Sequence, residues 1–270
     1  MNLAGKVFNH RQMHTKTNQQ LLIDLNKLSG DPDFQSALDQ AMYQQETITP
    51  YLLKIVVNYP TLYGVNSNYK VFLCALYLLA QFREKAAYPI IIKFANHYGL
   101  AIELLDSFAE NVSVGLGRVL ASVCGSDLLL IKQLIGNQKL SKSLRDAGLR
   151  SLVVLYNNDK LLREELVVYF TELIHHCLEE EDSLAFCGSL ISYCNLIYPK
   201  EFYQLIVSCF DQNKVDLTKI NLDIISAQML KDKAGVLNKL KKNPDIQFIN
   251  NADLELNSCG FLTQNNLHLH

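Results

Sequence analysis

From about Gln19 to Asn243, apolar residues return at helical spacing and short polar breaks interrupt them. Leu21, Leu22, Leu25 and Leu28 set the first such stripe, and Gly30-Asp31-Pro32 breaks it. Thr49-Pro50 then reads as a helix start: threonine can cap orphan amides, and proline has no amide to lose at the first helical position. Pro60 and Gly64 are expected to end that helix. The next spans about Asn68 to Arg83 and is apolar on nearly every side, so it must lie between neighbours. Strands alternate with period two, and no convincing run of that kind occurs. The pattern predicts an all-α protein.

Four stretches look alike. They begin near Ala75 (ALYLLAQFREKAAYPIIIKFA), Leu116 (LGRVLASVCGSDLLLIKQLI), Leu149 (LRSLVVLYNNDKLLREELVVYF) and Leu190 (LISYCNLIYPKEFYQLIVSCF). Each holds a helix rich in Leu, Val and small residues, a short turn and a second amphipathic helix. Their starts lie about 30 to 45 residues apart, the range of helical repeats. One pair cannot bury its own apolar face, so neighbouring pairs must stack. The expected fold is a HEAT-like α-solenoid of stacked antiparallel helix pairs over 18–245, with a flexible arm at 1–17 and a polar C-terminal tail at 246–270. A non-repetitive helical bundle is the alternative.

Composition narrows the function classes. Of 270 residues, 49% are hydrophobic and 19% charged, which suits a packed core and argues against disorder over most of the length. A formal net charge of −2 gives no whole-protein field for phosphate backbones, so no nucleic-acid partner is expected. Met1 to Gln20 hold no apolar run of signal-peptide length. The longest uncharged apolar stretch, Val71 to Phe82, falls short of the ~20 residues a spanning helix needs, so no membrane insertion is expected. The 7 cysteines include no C-x-x-C pair and read as reduced, buried small hydrophobes. A cytoplasmic protein is expected; a secreted effector without a classical signal peptide is the alternative.

Several stretches resemble the bacterial domain of unknown function 1186 family. They are Ile48-Thr49-Pro50-Tyr51-Leu52-Leu53, Ala75 to Phe94, GLGRVLASV from Gly115 to Val123, LRSLVVLY from Leu149 to Tyr156, and YPKEFYQLI from Tyr198 to Ile206. The resemblance covers roughly residues 45 to 225. It implies a HEAT-like α-solenoid and says nothing of activity. Some relatives look as if they carry a cysteine-rich zinc tail of the SEC-C type, but the last twenty residues here hold only Cys259.

No catalytic constellation emerges. His175, His176 and Cys177 adjoin, with Cys187, Cys194 and Cys209 downstream, but structural zinc wants two close ligand pairs and the spacing does not supply them. Dinuclear-metal enzymes on HEAT-like scaffolds resemble one another in using His-Glu dipeptides, and this chain has none. Gly115-Leu116-Gly117 fails the dinucleotide fingerprint because Leu120 replaces the third glycine, and both glycines read as close helix contacts. No cofactor is expected. Glu179-Glu180-Glu181-Asp182 reads as a turn capping the next helix. Lys231, Lys233, Lys239, Lys241 and Lys242 read as a solvated face; without interleaved aromatics, stacking on bases is not expected. Arg118 sits inside an apolar helix and needs a partner, either Glu103, Asp106 or Glu110 in the fold, or an anion at a groove.

The resulting functional expectation is a non-catalytic adaptor that binds another protein or peptide. The rivals are an enzyme whose site draws on several repeats, and an effector acting in a host cell. HEAT-like solenoids line their concave side with the second helix of each pair, an orientation that comes from the resemblance. Here those helices are about Tyr88 to Tyr98, Asp127 to Gly136, Leu162 to Cys177 and Lys200 to Phe210. Their polar side chains make Lys93, His97, Lys132, Glu164, Glu172 and His176, together with Arg118, the candidate partner-binding residues. The groove would be basic toward the N-terminal repeats and acidic toward the middle, suiting a charge-patterned peptide.

Overall fold

In the computed structural model, the described residues are 16–27, 31–62, 69–97, 112–179 and 184–258. Every regular element among them is helical. In chain order they are α1 (Asn18–Asp24), α2 (Pro32–Tyr43), α3 (Gln45–Leu62), α4 (Tyr69–Gln81), α5 (Ala87–His97), α6 (Val112–Val123), α7 (Leu129–Gly136), α8 (Lys142–Asn157), α9 (Arg163–Glu179), α10 (Leu184–Leu196), α11 (Tyr203–Asp211), α12 (Leu222–Met229), α13 (Lys233–Lys241) and α14 (Ala252–Ser258). Short 3-10 turns at Lys200–Phe202 and Pro244–Ile246 precede α11 and α14.

Local chemistry fixes several starts. Asp31 accepts from the Asp33 amide at 2.8 Å with Pro32 in the first turn. Asn221 and Asp232 cap α12 and α13 in the same way, by accepting from the Ile224 and Gly235 amides. One expected start moves. Thr49-Pro50 lies inside α3, whose first residue is Gln45. The Thr49 hydroxyl turns back to the Gln45 carbonyl at 2.7 Å. Proline is tolerated there because the carbonyl its missing amide would have met belongs to Glu46, an exposed first-turn residue. Pro60 likewise falls within α3, while Gly64 lies outside the described residues.

Helix α4 behaves as its composition demands. Every residue from Val71 to Ala80 is buried, because the helix packs on α3, α6 and α14 at once. Contacts recur in two sets: α4 on α6, α6 on α8 and α8 on α10; and α3 on α5 and α5 on α7. Helices of the two sets meet where α3 packs on α4 and α7 on α8, and α9 packs on α10 in addition.

Gly117 permits a close crossing of α6 on α8, and Gly115 a close approach of α6 to α4. A Cβ on Gly117 would stand 2.8 Å from the Ala147 carbonyl oxygen and 2.9 Å from Arg150 Cβ. A Cβ on Gly115 would collide with the Tyr77 hydroxyl. Both are therefore close helix contacts, as their spacing suggested.

Residues 246–258, expected to begin a polar tail, lie packed against α4, α6 and α8. Ile246, Ile249, Ala252 and Leu256 are at most 1% exposed. At the other end, Lys16 and Thr17 belong to the packed unit: Lys16 Nζ lies 2.8 Å from the buried Asp24 carboxylate, and Thr17 caps α1. The rest of the expected N-terminal arm lies outside the described residues.

Candidate functional site

Helices α5, α7 and α9 carry most of the candidate partner-binding residues. In α9 the stripe Leu166, Phe170, Leu173 and Cys177 is buried, and Glu164, Glu172, His175 and His176 are exposed. A helix with one stripe in the core must turn its charges the other way. Glu164 lies in the first turn and His176 in the last, where the helix dipole favours each sign of charge. Lys93 on α5 and Lys132 on α7 are exposed too. Lys132 Nζ stands 4.6 Å from the Tyr169 ring centre, a cation–π contact that ties α7 to α9. Burial raises the Tyr169 phenol above its ordinary range, so it stays neutral beside Lys132. His97 closes α5, but its side chain lies outside the described residues.

Arg118 belongs to a different constellation. It is 8% exposed on α6, and its guanidinium meets the Glu255 carboxylate through two bonds of 2.7 Å. Nε also donates to the Gln247 carbonyl at 2.8 Å. The buried charge thus finds its partner in the C-terminal segment. Glu103, Asp106 and Glu110, the partners expected from sequence, lie outside the described residues.

Around Arg118 the ends of α4, α6 and α8 grip an extended piece of backbone. Asn157 Nδ2 donates to the Ile246 carbonyl at 2.9 Å, and Arg83 Nη1 to the Ile249 carbonyl at 2.7 Å. The Ile249 amide donates to Ser122 Oγ at 3.0 Å, and the Ala252 amide to Gln81 Oε1 at 2.6 Å. Arg83 also covers the Phe248 ring, 4.8 Å from its centre. Sequence reasoning found Arg118 but missed Gln81, Arg83, Ser122, Asn157 and Glu255. The available signal was the apolar spacing Ile246, Ile249, Ala252, Leu256, with Phe248 and Leu254 between them.

The other candidate clusters resolve into local structure. Cys177 faces the core while His175 and His176 point outward, so these sequence neighbours do not converge. Among the described residues, no group of three or more His, Cys, Asp or Glu is placed to hold a metal ion. The described cysteines are buried thiols in no disulfide; desolvation pushes the Cys74, Cys124 and Cys209 thiols up to about 12. Such thiols are poor nucleophiles. Of the C-terminal lysines, Lys233 pairs with Glu201 at 3.0 Å, Lys241 with Asp159 at 2.6 Å, and Lys231 reaches Gln228 at 2.9 Å. Glu180, Glu181 and Asp182 lie outside the described residues. A groove of about 870 Å³ between α1 and α3 is walled by amides, Tyr51 and Lys54, remote in sequence from the candidates above. No described helix is long and apolar enough to cross a membrane.

Comparison with known proteins agrees with the motifs. Uncharacterised proteins of Chlamydia trachomatis and Chlamydia muridarum are 36% and 35% identical over 191 residues, which covers 69% of this chain and 74% and 75% of theirs. No solved structure matches. A family model described as "Protein of unknown function (DUF1186)" matches residues 19–261, and the chain belongs to that family.

Proposed function

We propose that the chain is a non-catalytic adaptor, a HEAT-like α-solenoid that holds an extended segment of another protein along α5, α7 and α9. The observation that carries this reading is the exposure of Lys93, Lys132, Glu164 and Glu172 on these three helices, each anchored by buried apolar residues of its own. The recurring contacts of α3, α5 and α7, and of α4, α6, α8 and α10, support the stacked-pair architecture. Mixed charge suits a patterned peptide, whereas a nucleic-acid backbone wants a continuous basic track. The reading assigns the protein to the bacterial cytoplasm, and the described cysteines, buried thiols in no disulfide, support that compartment.

The test compares Lys93→Glu with Lys132→Glu against Lys239→Glu with Lys241→Glu, in pull-downs at matched thermal stability. The first pair is expected to release the partner and the second to retain it. Release by the second pair alone would move the contact to α13.

A further inference from the structure

Residues 246–256 are held as a peptide ligand is held. The grip falls on main-chain groups: the carbonyls of Ile246, Gln247 and Ile249 accept from Asn157, Arg118 and Arg83, and the amides of Ile249 and Ala252 donate to Ser122 and Gln81. Main-chain recognition tolerates many sequences, while side-chain pockets and charges confer selectivity. Here Ile246 and Ile249 fill apolar positions three residues apart, and Glu255 meets Arg118 with both oxygens. Nε of the same arginine reads a carbonyl, so one side chain senses both backbone and charge.

The bound segment is covered on one side only. Asn250, Asn251, Leu254 and Asn257 are exposed, with Leu254 at 65%. It joins α13 through Lys242-Asn243-Pro244. Elements covered on one side alone open at lower free energy than the core beneath them.

We infer that the face formed by Gln81, Arg83, Arg118, Ser122 and Asn157 is a second peptide-binding groove, closed in cis by the chain's own residues 246–256. Its partner is a protein segment with two aliphatic residues three apart, a short non-helical link and then a helical turn that carries a carboxylate six residues after the second aliphatic. Such a segment displaces the cis occupant, which sets a threshold for binding. The inference rests on the reading of the chain as a binding protein and concerns a face separate from α5, α7 and α9.

The experiment uses full-length protein and a fluorescent peptide of the sequence 244–258. Wild type is expected to bind it weakly, because the cis segment competes at high effective concentration. Glu255→Lys in the protein frees the groove. It should bind the peptide about tenfold or more tightly than wild type, while the Ile249 and Ala252 amides lose hydrogen-exchange protection and α6 and α8 keep theirs. A peptide that itself carries Glu255→Lys should lose that gain. Glu255→Gln is a milder release, made in case the lysine variant does not fold. A released segment with no gain in peptide binding overturns the inference. So does a segment that stays protected in both variants, or loss of the whole fold in both, since the segment would then be an obligatory part of the core. Lys93→Glu with Lys132→Glu should leave peptide binding unchanged, which separates failure here from failure of the α5–α9 reading.

Discussion

Arg83 ends α4 with φ at 58°, in the left-handed region that L residues avoid. The motif around it is a helix stop: the Glu84 amide donates to the Leu79 carbonyl at 3.0 Å and the Arg83 amide to the Ala80 carbonyl at 3.1 Å. Asn213 ends α11 with the same pair of bonds and φ at 56°. Asparagine tolerates this region and arginine gains nothing from it, so the Arg83 side chain must supply the compensation. It does so by holding the Ile249 carbonyl and, at 2.6 Å, Asn250 Oδ1. Glycine at the two positions therefore has different consequences. Asn213→Gly should change stability by no more than about 0.5 kcal/mol, as a better left-handed residue is offset by a freer unfolded chain. Arg83→Gly relieves the backbone more, yet should destabilise by about 1–3 kcal/mol through lost charged hydrogen bonds. Urea denaturation of both variants checks this. A more stable Arg83→Gly protein would show that the grip on the C-terminal segment contributes little.

The crossing of α6 and α8 depends on backbone proximity. A methyl group on Gly117 meets a carbonyl oxygen and the base of Arg150, neither of which can swing away. Gly117→Ala should destabilise by about 1–3 kcal/mol, as overpacking does. Gly136 at the end of α7 is the control, since a Cβ there meets nothing within 4 Å. Gly136→Ala should be neutral or gain up to about 1 kcal/mol in helix propensity. Equal effects from the two in thermal melts would rule out the steric argument. Much at this scale was legible in the sequence. Apolar periodicity located α4, α5, α7 and α9 to within a few residues, because each buries a continuous stripe. The start of α3 was not legible, because the Thr49-Pro50 signal describes a favourable cap without requiring one. The C-terminal segment was hidden for another reason. Its four buried anchors lie among polar residues and two further apolar ones, Phe248 and Leu254, and its structure comes from distant groups on α4, α6 and α8. The same distance concealed the Arg118–Glu255 pair, since local sequence shows that a buried arginine needs a partner without showing where it lies.

At the scale of the whole molecule, one carboxylate joins α9, the turn before α11 and α13. Glu201 accepts from Arg163 of α9 at 2.7 and 2.8 Å, and from Lys233 of α13 at 3.0 Å. Arg163 also donates to the Tyr198 carbonyl at 3.1 Å, fixing the turn before α11. The Arg163 hydrogen bonds outweigh partial burial and hold the Glu201 carboxyl at about 2, below its ordinary 4.5. A carboxyl with a depressed folded-state pKa stabilises the protein fully above its unfolded value. That contribution fades as pH falls from about 4.5 toward 2. Other carboxylates share in acid unfolding, so wild type alone cannot isolate this one. Glu201→Gln keeps the shape and removes the charge, and the gap between the two proteins reports Glu201. The melting temperature of the variant should be lower at neutral pH, and the gap should narrow as pH drops below about 4.5. A gap that stays constant from pH 7 to pH 3 would mean that the carboxylate acts by shape alone. The form of the transition adds a second readout. In the proposed stacked-pair architecture, units couple mainly to their neighbours, so loosening the link between α9 and α13 should let α12 and α13 unfold ahead of the rest. Hydrogen exchange in Glu201→Gln should then show early loss of protection in α12 and α13, with α4, α6 and α8 still protected. Simultaneous loss in all of them would identify the chain as a single cooperative unit in which this clamp sets no boundary.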